Sequence, residues 1–131
     1  RRVRSRPEPP RADYGRRKSI VEAFVAASHD GDFSGLLAVL DPEVVYHADA
    51  DAVRLGALAE VRGAEAVATA FKGRAVGAHP ALVDGGFGFA VVIGGAPRLV
   101  VLLEIEDGRI LDIEAVGDPA RLAAFGIEYL D

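Results

Sequence analysis

Between Arg98 and Val116 two β-rich runs meet at Asp107-Gly108, a pair that readily takes the positive φ angles of a two-residue type I′ turn. A chain with this stretch is committed to a long antiparallel hairpin, and the hairpin constrains what the rest can pack against. Counting back from the turn sets Glu106 against Arg109, Ile105 against Ile110, Leu103 against Asp112 and Val101 against Glu114. On the other side the same count sets Leu102 against Ile113 and Val100 against Ala115. One face is then almost wholly apolar. The other mixes Leu99, Val101, Leu103, Ile105 and Ile110 with the carboxylates of Asp112 and Glu114. Neither face suits water, so helices are expected on one side and a second subunit or the walls of a cavity on the other.

The segment before the hairpin reads as helical with one interruption. Ile20, Val21, Phe24, Val25 and Ala27 recur at helical spacing, which predicts an amphipathic helix from Tyr14 to Ser28. A short second helix is predicted from Phe33 to Leu40, with Asp32 at its cap. Asp41-Pro42 turns the chain into a strand at Val44–His47, followed by a loop through Ala48, Asp49, Ala50 and Asp51. Val53 to Ala59 has no clean period, and a third helix is predicted from Arg62-Gly63-Ala64-Glu65 through Phe71. Strands follow near Ala78–Val83, Phe87–Ile93, Arg98–Glu106 and Arg109–Val116, parted by Asp84-Gly85-Gly86, Gly94-Gly95-Ala96-Pro97 and Asp107-Gly108. Asp118-Pro119 then opens a terminal helix at Ala120–Phe125. Helices segregated from a run of antiparallel strands define an α+β fold.

Composition narrows the function classes. Half of the 131 residues are apolar, enough for one domain with a full-sized core. No apolar run is long enough to span a bilayer and no signal-peptide pattern is present, so a cytoplasmic protein without a membrane partner is expected. Cysteine is absent, which excludes disulfides, thiolate chemistry and cysteine-ligated metals. Methionine is absent too, so the sequence reads as a piece of a longer or processed chain. Residues 1–18 carry eight basic against two acidic side chains, and the remainder seven basic against eighteen acidic. A basic end suits a nucleic-acid neighbour; an acidic body repels phosphate. The prolines at 7, 9 and 10 stop a helix and stiffen a linker. They divide a basic, Pro-rich linker or tail, residues 1–13, from a domain at 14–131.

Five short runs in order carry a resemblance: Val21-Glu22-Ala23-Phe24-Val25-Ala26-Ala27, Gly31-Asp32-Phe33-Ser34-Gly35-Leu36-Leu37, Leu40-Asp41-Pro42-Glu43-Val44-Val45, Val61-Arg62-Gly63-Ala64-Glu65-Ala66-Val67 and Glu106-Asp107-Gly108-Arg109-Ile110. With them the chain resembles the SnoaL-like domains of the nuclear-transport-factor-2-like superfamily. The resemblance implies a cone-shaped α+β barrel, its strongly bent, mainly antiparallel sheet wrapped around N-terminal helices, as in cystatin-like architectures. Within that superfamily it is most similar to the C-terminal domain of extracytoplasmic-function sigma factors. Their DNA-binding region ends in an Ala/Arg-rich helix, and Arg1-Arg2-Val3-Arg4 resembles its last turn. Those proteins also carry an Asp-Gly-Gly-Gly-type loop after the first strand and an Asn-Pro-x-Lys-Leu-like motif at the end of the sheet. Asp49-Ala50-Asp51-Ala52, without the glycines, stands at the first position, and Asp118-Pro119-Ala120-Arg121-Leu122 at the second.

Enzymes on this fold use a His/Asp or Asp/Arg set for proton transfer. The candidates here are His47, Asp49, Asp51, Arg54, Glu104, Asp112 and Glu114. Such work needs a base in an apolar pocket and a group to stabilise a developing oxyanion. Glu114, placed opposite Val101, meets the first need best, and Asp112 shares its face. The structural alternative is that both line a wet rim or pair with an arginine such as Arg54 or Arg98. His47 reads as a ligand, a base or a hydrogen-bonded rim residue. His29 and His79 lack the spaced partners that a metal needs. An alternation of His47, Asp49 and Asp51 would share one side of a continued strand, but the ligand count is low and the glycine turn of a calcium loop is absent, so no metal and no cofactor is expected. Phe87 and Phe89 alternate as pocket or core residues.

The resemblance implies a non-catalytic regulatory domain of an alternative sigma factor. Its partners would be RNA polymerase core and the upstream sigma regions, with DNA reached only through the missing upstream region. Regulatory contacts are expected at Asp49, Asp51, Asp118, Pro119, Arg121 and Leu122. A small-molecule effector would meet Tyr46, His47, Arg54, Phe87, Phe89, Val101, Leu103, Asp112 and Glu114. The alternative is a small SnoaL-like isomerase, cyclase or hydrolase acting on a hydrophobic substrate, with His47, Asp49, Asp112 and Glu114 catalytic. A third class is a dimerisation module, and the apolar rows on both hairpin faces lead us to expect a homodimer through the sheet.

Overall fold

Three two-residue turns build most of the sheet. In the computed structural model, which describes residues 11–74 and 76–130, Asp84-Gly85, Gly94-Gly95 and Asp107-Gly108 have positive φ at both positions, between 50 and 84°. That is the type I′ signature, whose twist matches the strands it joins. In chain order the described residues form α1 (Arg11–Asp30), α2 (Phe33–Val39), β1 (Leu40–Ala48), α3 (Ala50–Arg54), β2 (Glu60–Arg62) and α4 (Ala64–Phe71). There follow β3 (Ala78–Val83), β4 (Gly86–Ile93), β5 (Ala96–Glu106), β6 (Arg109–Val116), α5 (Pro119–Ala124) and β7 (Ile127–Tyr129). The fold is α+β, a curved, mostly antiparallel seven-stranded sheet with the order β2-β1-β6-β5-β4-β3-β7, with α1, α2 and α4 packed on one face and α5 against the other. No helix among the described residues is long and apolar enough to cross a membrane.

Several expectations need correction. β1 pairs with β6 in parallel, within a sheet expected to be mainly antiparallel; strand direction across more than sixty intervening residues is not written in local pattern. Within the loop expected at residues 48–51, Ala48 ends β1, Asp49 caps α3, and Ala50 and Asp51 begin it; the edge strands β2 and β7 were not anticipated either, because elements of three to five residues carry too little periodicity. α1 spans Arg11–Asp30, so it includes positions 11–13 of the expected linker, while the arginine run and prolines of residues 1–10 lie outside the described residues. Asp32 and Asp118 do cap α2 and α5, accepting from the Gly35 and Ala120 N–H groups, and Pro119 opens α5.

The hairpin of β5 and β6 keeps the expected pairs Glu106/Arg109 and Ile105/Ile110, then slips by one residue. Leu111 is extra, so Glu104 faces Asp112, Leu103 faces Ile113, Leu102 faces Glu114, Val101 faces Ala115 and Val100 faces Val116. This β-bulge overturns the expected pairs Leu103/Asp112, Val101/Glu114, Leu102/Ile113 and Val100/Ala115. Burial explains the direction of the slip, since a one-residue shift exchanges the faces of a strand. Val101, Leu103, Ile105, Ile110, Ile113 and Ala115 are all at most 6% exposed and share the inner face. Leu102, Glu104, Asp112 and Glu114 share the outer one.

The inner face packs against Val21, Phe24 and Ala27 of α1, Leu36 and Val39 of α2, and Val67, Ala68 and Phe71 of α4. Each fully buried large side chain contributes about 1.5–3 kcal/mol. Arg17 pins α1 to the hairpin, donating to the Ile105 carbonyl and to Asp13, both at 2.7 Å. A second, smaller core lies on the outer face, where Leu122, Phe125 and Ile127 cover Ala81, Val83, Ala90 and Val100. The apolar row that was expected to need a partner subunit is therefore covered here by the chain's own C-terminus. Under that cover β4 and β5 approach so closely that a Cβ on Gly88 would overlap the Val101 carbonyl oxygen, a backbone atom that cannot move aside. Gly88→Ala is expected to lower stability by about 2 kcal/mol, read as a reduced urea midpoint at unchanged slope.

Candidate ligand cavity and polar sheet face

Where α4 ends and β1 crosses the inner face, the helices no longer cover the sheet. The gap is a cavity of about 220 Å³, floored by Tyr46, Phe71, Phe89 and Val101 and walled by Val91 and Leu99. The floor is an aromatic cluster: Phe71 lies 5.3 Å edge-on from Tyr46 and 5.1 Å from Phe24, which is 6.0 Å from Phe89. Loops form the mouth. Leu55 and Leu58 after α3, Val76 after α4 and Ile93 at the end of β4 stand there 37–71% exposed, an apolar rim in contact with water.

Among the described residues two polar side chains reach this space. Tyr46 is 3% exposed; burial pushes its phenol above the usual value, and the nearby Arg74 charge offsets only part of that, so the hydroxyl stays protonated. Arg74 sits at the mouth, where Nη1 makes one long bond of 3.4 Å to the Gly56 carbonyl. No carboxylate and no imidazole lines the cavity among the described residues.

The sequence candidates divide between this cavity and the opposite side of the sheet. Tyr46, Phe89 and Val101 line the cavity. Phe87 and Leu103 lie in the inner core outside its lining, Phe87 against Tyr14 at 5.3 Å. His47, Asp112 and Glu114 are on the outer face. His47 Nε2 meets both Asp112 oxygens at 2.9 and 3.2 Å, and Glu114 accepts from Arg121 at 3.3 Å. Both pairs are solvent-accessible and therefore contribute little to stability. Arg54 turns outward to Asp51 at 2.6 Å, far from the role of a pocket cation. His29 is exposed beside Asp30, and His79 stacks edge-on against Tyr129 at 6.2 Å. Among the described residues no three His, Asp or Glu side chains gather as a metal site. His47, Asp49 and Asp51 do not share one side, because β1 ends at Ala48 and Asp49 turns away.

Asp49 is a junction. Its carboxylate caps α3 by accepting from Ala52 at 2.8 Å, and it also accepts from the N–H groups of Gly117 at 3.0 Å and Asp118 at 3.1 Å. Burial pushes its pKa up, yet these N–H bonds and the Arg121 charge pull harder, leaving it below the ordinary carboxylate value. Gly117 is required here, since a Cβ would lie 2.7 Å from the Ala52 nitrogen. The Asp118-Pro119-Ala120-Arg121-Leu122 run follows directly. Asp118 and Pro119 start α5, Leu122 enters the outer core, and Arg121 stays exposed over Glu114. Sequence reasoning missed Arg74 and the rim of Leu55, Leu58, Val76 and Ile93. For Leu55, Leu58 and Val76 the signal was apolar residues in segments without periodicity, while Ile93 was read as the end of a strand.

No protein-family model matches this chain. No curated protein matches it either. Solved structures do resemble it. The extracytoplasmic function sigma factor SigJ of Mycobacterium tuberculosis superposes with a TM-score of 0.61 at 21% identity, covering 82% of this chain. This chain spans only 44% of that sigma factor. An NTF-2 like protein of unknown function from Burkholderia xenovorans LB400 matches at TM-score 0.54 and 14% identity, over 78% of this chain and 82% of that one. An LEH-like epoxide hydrolase of M. tuberculosis matches at 0.50 and 23%, over 83% and 87%. What these likenesses establish is the fold, a curved, mainly antiparallel sheet backed by helices that these structures share.

Proposed function

We propose that this chain is a non-catalytic regulatory domain of an alternative sigma factor, acting through contacts with sigma regions or RNA polymerase and holding a small effector in its cavity. DNA would be reached only through a region upstream of Arg1. The observation that carries this reading is the separation of chemistry from cavity: His47, Asp49, Asp112 and Glu114 lie outside a lining that holds neither carboxylate nor imidazole among the described residues. An isomerase or hydrolase on this fold would need a base beside its substrate. The likeness to a sigma factor at TM-score 0.61 supports the same reading. The outer face of β2, β1 and β6, with His47, Asp112, Glu114 and the adjoining Arg121, is the surface we assign to polymerase, a sigma region or a second copy of the chain.

Arg121 tests it. Arg121→Glu reverses an exposed charge and places two carboxylates together at Glu114, while Leu122 beneath keeps the outer core. In the full-length protein this change is expected to shift transcription from a cognate promoter several-fold, about 1 kcal/mol of altered contact, with the domain still folding cooperatively and the repulsion at Glu114 and Asp49 lowering its melting midpoint only modestly. Promoter activity identical to wild type, together with substrate turnover by the isolated domain, would overturn the regulatory reading.

A further inference from the structure

We infer that the effector is a small amphipathic carboxylate, its aliphatic tail against Phe71, Phe89 and Val101 and its head group held at the mouth by Arg74. The inference rests on the reading of this cavity as an effector pocket and names the chemistry that would fill it.

The lining carries one cation and no anion among the described residues. Arg74 has no carboxylate partner there, and its long contact with the Gly56 carbonyl leaves most of its N–H donors unused. A guanidinium with free, parallel donors at the mouth of an apolar hole matches a carboxylate far better than a neutral polar group. The Tyr46 hydroxyl makes no hydrogen bond to the described residues, lies in the same lining and is kept protonated, so it adds a donor and not a competing charge. Behind these two groups the surface is hydrocarbon and aromatic. The rim of Leu55, Leu58, Val76 and Ile93 continues that apolar surface around the mouth. A volume of about 220 Å³ equals roughly seven waters of the liquid. That is room for a medium-chain acid, and too little for a steroid skeleton.

The probes are octanoate and octanol, titrated into the 131-residue chain by calorimetry or by amide chemical shifts. Octanoate is expected to bind about tenfold more tightly than octanol, the difference being the charged hydrogen bonds to Arg74. Arg74→Gln, at an exposed position that leaves the fold intact, is expected to erase that difference by weakening octanoate about tenfold with octanol unchanged. Tyr46→Phe is expected to weaken octanoate less. Ala70→Leu, which fills the cavity from α4, should weaken both probes, with thermal melts checking that each variant is folded. Equal affinity for octanoate and octanol, or octanoate affinity indifferent to Arg74→Gln, would overturn the inference. Flotation of the chain with phosphatidylglycerol vesicles, without octanoate binding, would overturn it in favour of a membrane lipid. These outcomes leave the transcription test untouched: failed octanoate binding with a promoter effect of Arg121→Glu removes the ligand class alone, and the reverse pattern removes the regulatory role alone.

Discussion

Asp49→Ala is expected to lower the stability of the domain by about 3 kcal/mol, more than an ordinary helix cap, whose loss costs roughly 0.5–2 kcal/mol. The excess comes from Gly117 and Asp118, whose N–H groups also end on this carboxylate. Removing it strands donors at the junction of β1, α3 and β6, and bonds to a charged acceptor are worth about 1.5–3 kcal/mol. Asp49→Asn should recover only part of the loss. One amide oxygen can serve Ala52 and Gly117, but the NH2 group then faces the Asp118 donor. The pH dependence has a definite sign. A carboxylate whose folded pKa is depressed contributes stability that is fully present above its unfolded pKa of about 3.9, and that contribution fades as pH falls through the folded value. The gap between wild type and Asp49→Asn in urea midpoint should therefore be constant from neutral pH to about pH 5 and shrink under more acid conditions. A gap that widens with acid would refute the assignment.

The role of Asp49 shows where sequence reasoning reached and where it stopped. Its position after the first strand singled it out as a contact or catalytic candidate, yet what it contacts is the chain's own backbone 68 and 69 positions away. No local pattern records such a meeting. The turns were legible for the opposite reason: Asp107-Gly108 and its two counterparts carry their φ preference in the residues themselves. Helix spacing placed α1, α2 and α4 well, since an apolar stripe is also local. The bulge at Leu111 was missed because ideal counting from a turn has no term for an extra residue. The clue was present in the cost of the unbulged pairing, which would place Asp112 and Glu114 across from Leu103 and Val101. Weighing that burial cost against a bulge would have moved both carboxylates to the outer face, where they stand. Of the cavity, Tyr46, Phe89 and Val101 were legible as inward strand residues. Arg74 was not, because nothing in a loop sequence says that its side chain meets Gly56 from another loop.

Phe24→Ala is expected to have the largest effect of any single substitution considered, a loss of about 3–5 kcal/mol. Phe24 is wholly buried on α1 and touches two of the aromatic rings that floor the cavity, Phe71 and Phe89. Its removal costs more than the transfer of one ring. The contacts with Phe71 and Phe89 go as well, worth about 0.5–1.5 kcal/mol each beyond their area, and the void cannot be refilled by α1, which Arg17 holds to the hairpin. At roughly 3–5 °C per kcal/mol for a domain of this size, the midpoint of thermal unfolding should drop by about 10–20 °C. The same void lies directly beneath the cavity floor, so the variant should accept a ligand longer than the wild type takes. Decanoate is expected to gain affinity relative to octanoate in Phe24→Ala, where the wild-type cavity favours the shorter chain. A variant that loses stability without any change in chain-length preference would mean that Phe71 and Phe89 collapse into the space, separating the core from the pocket floor.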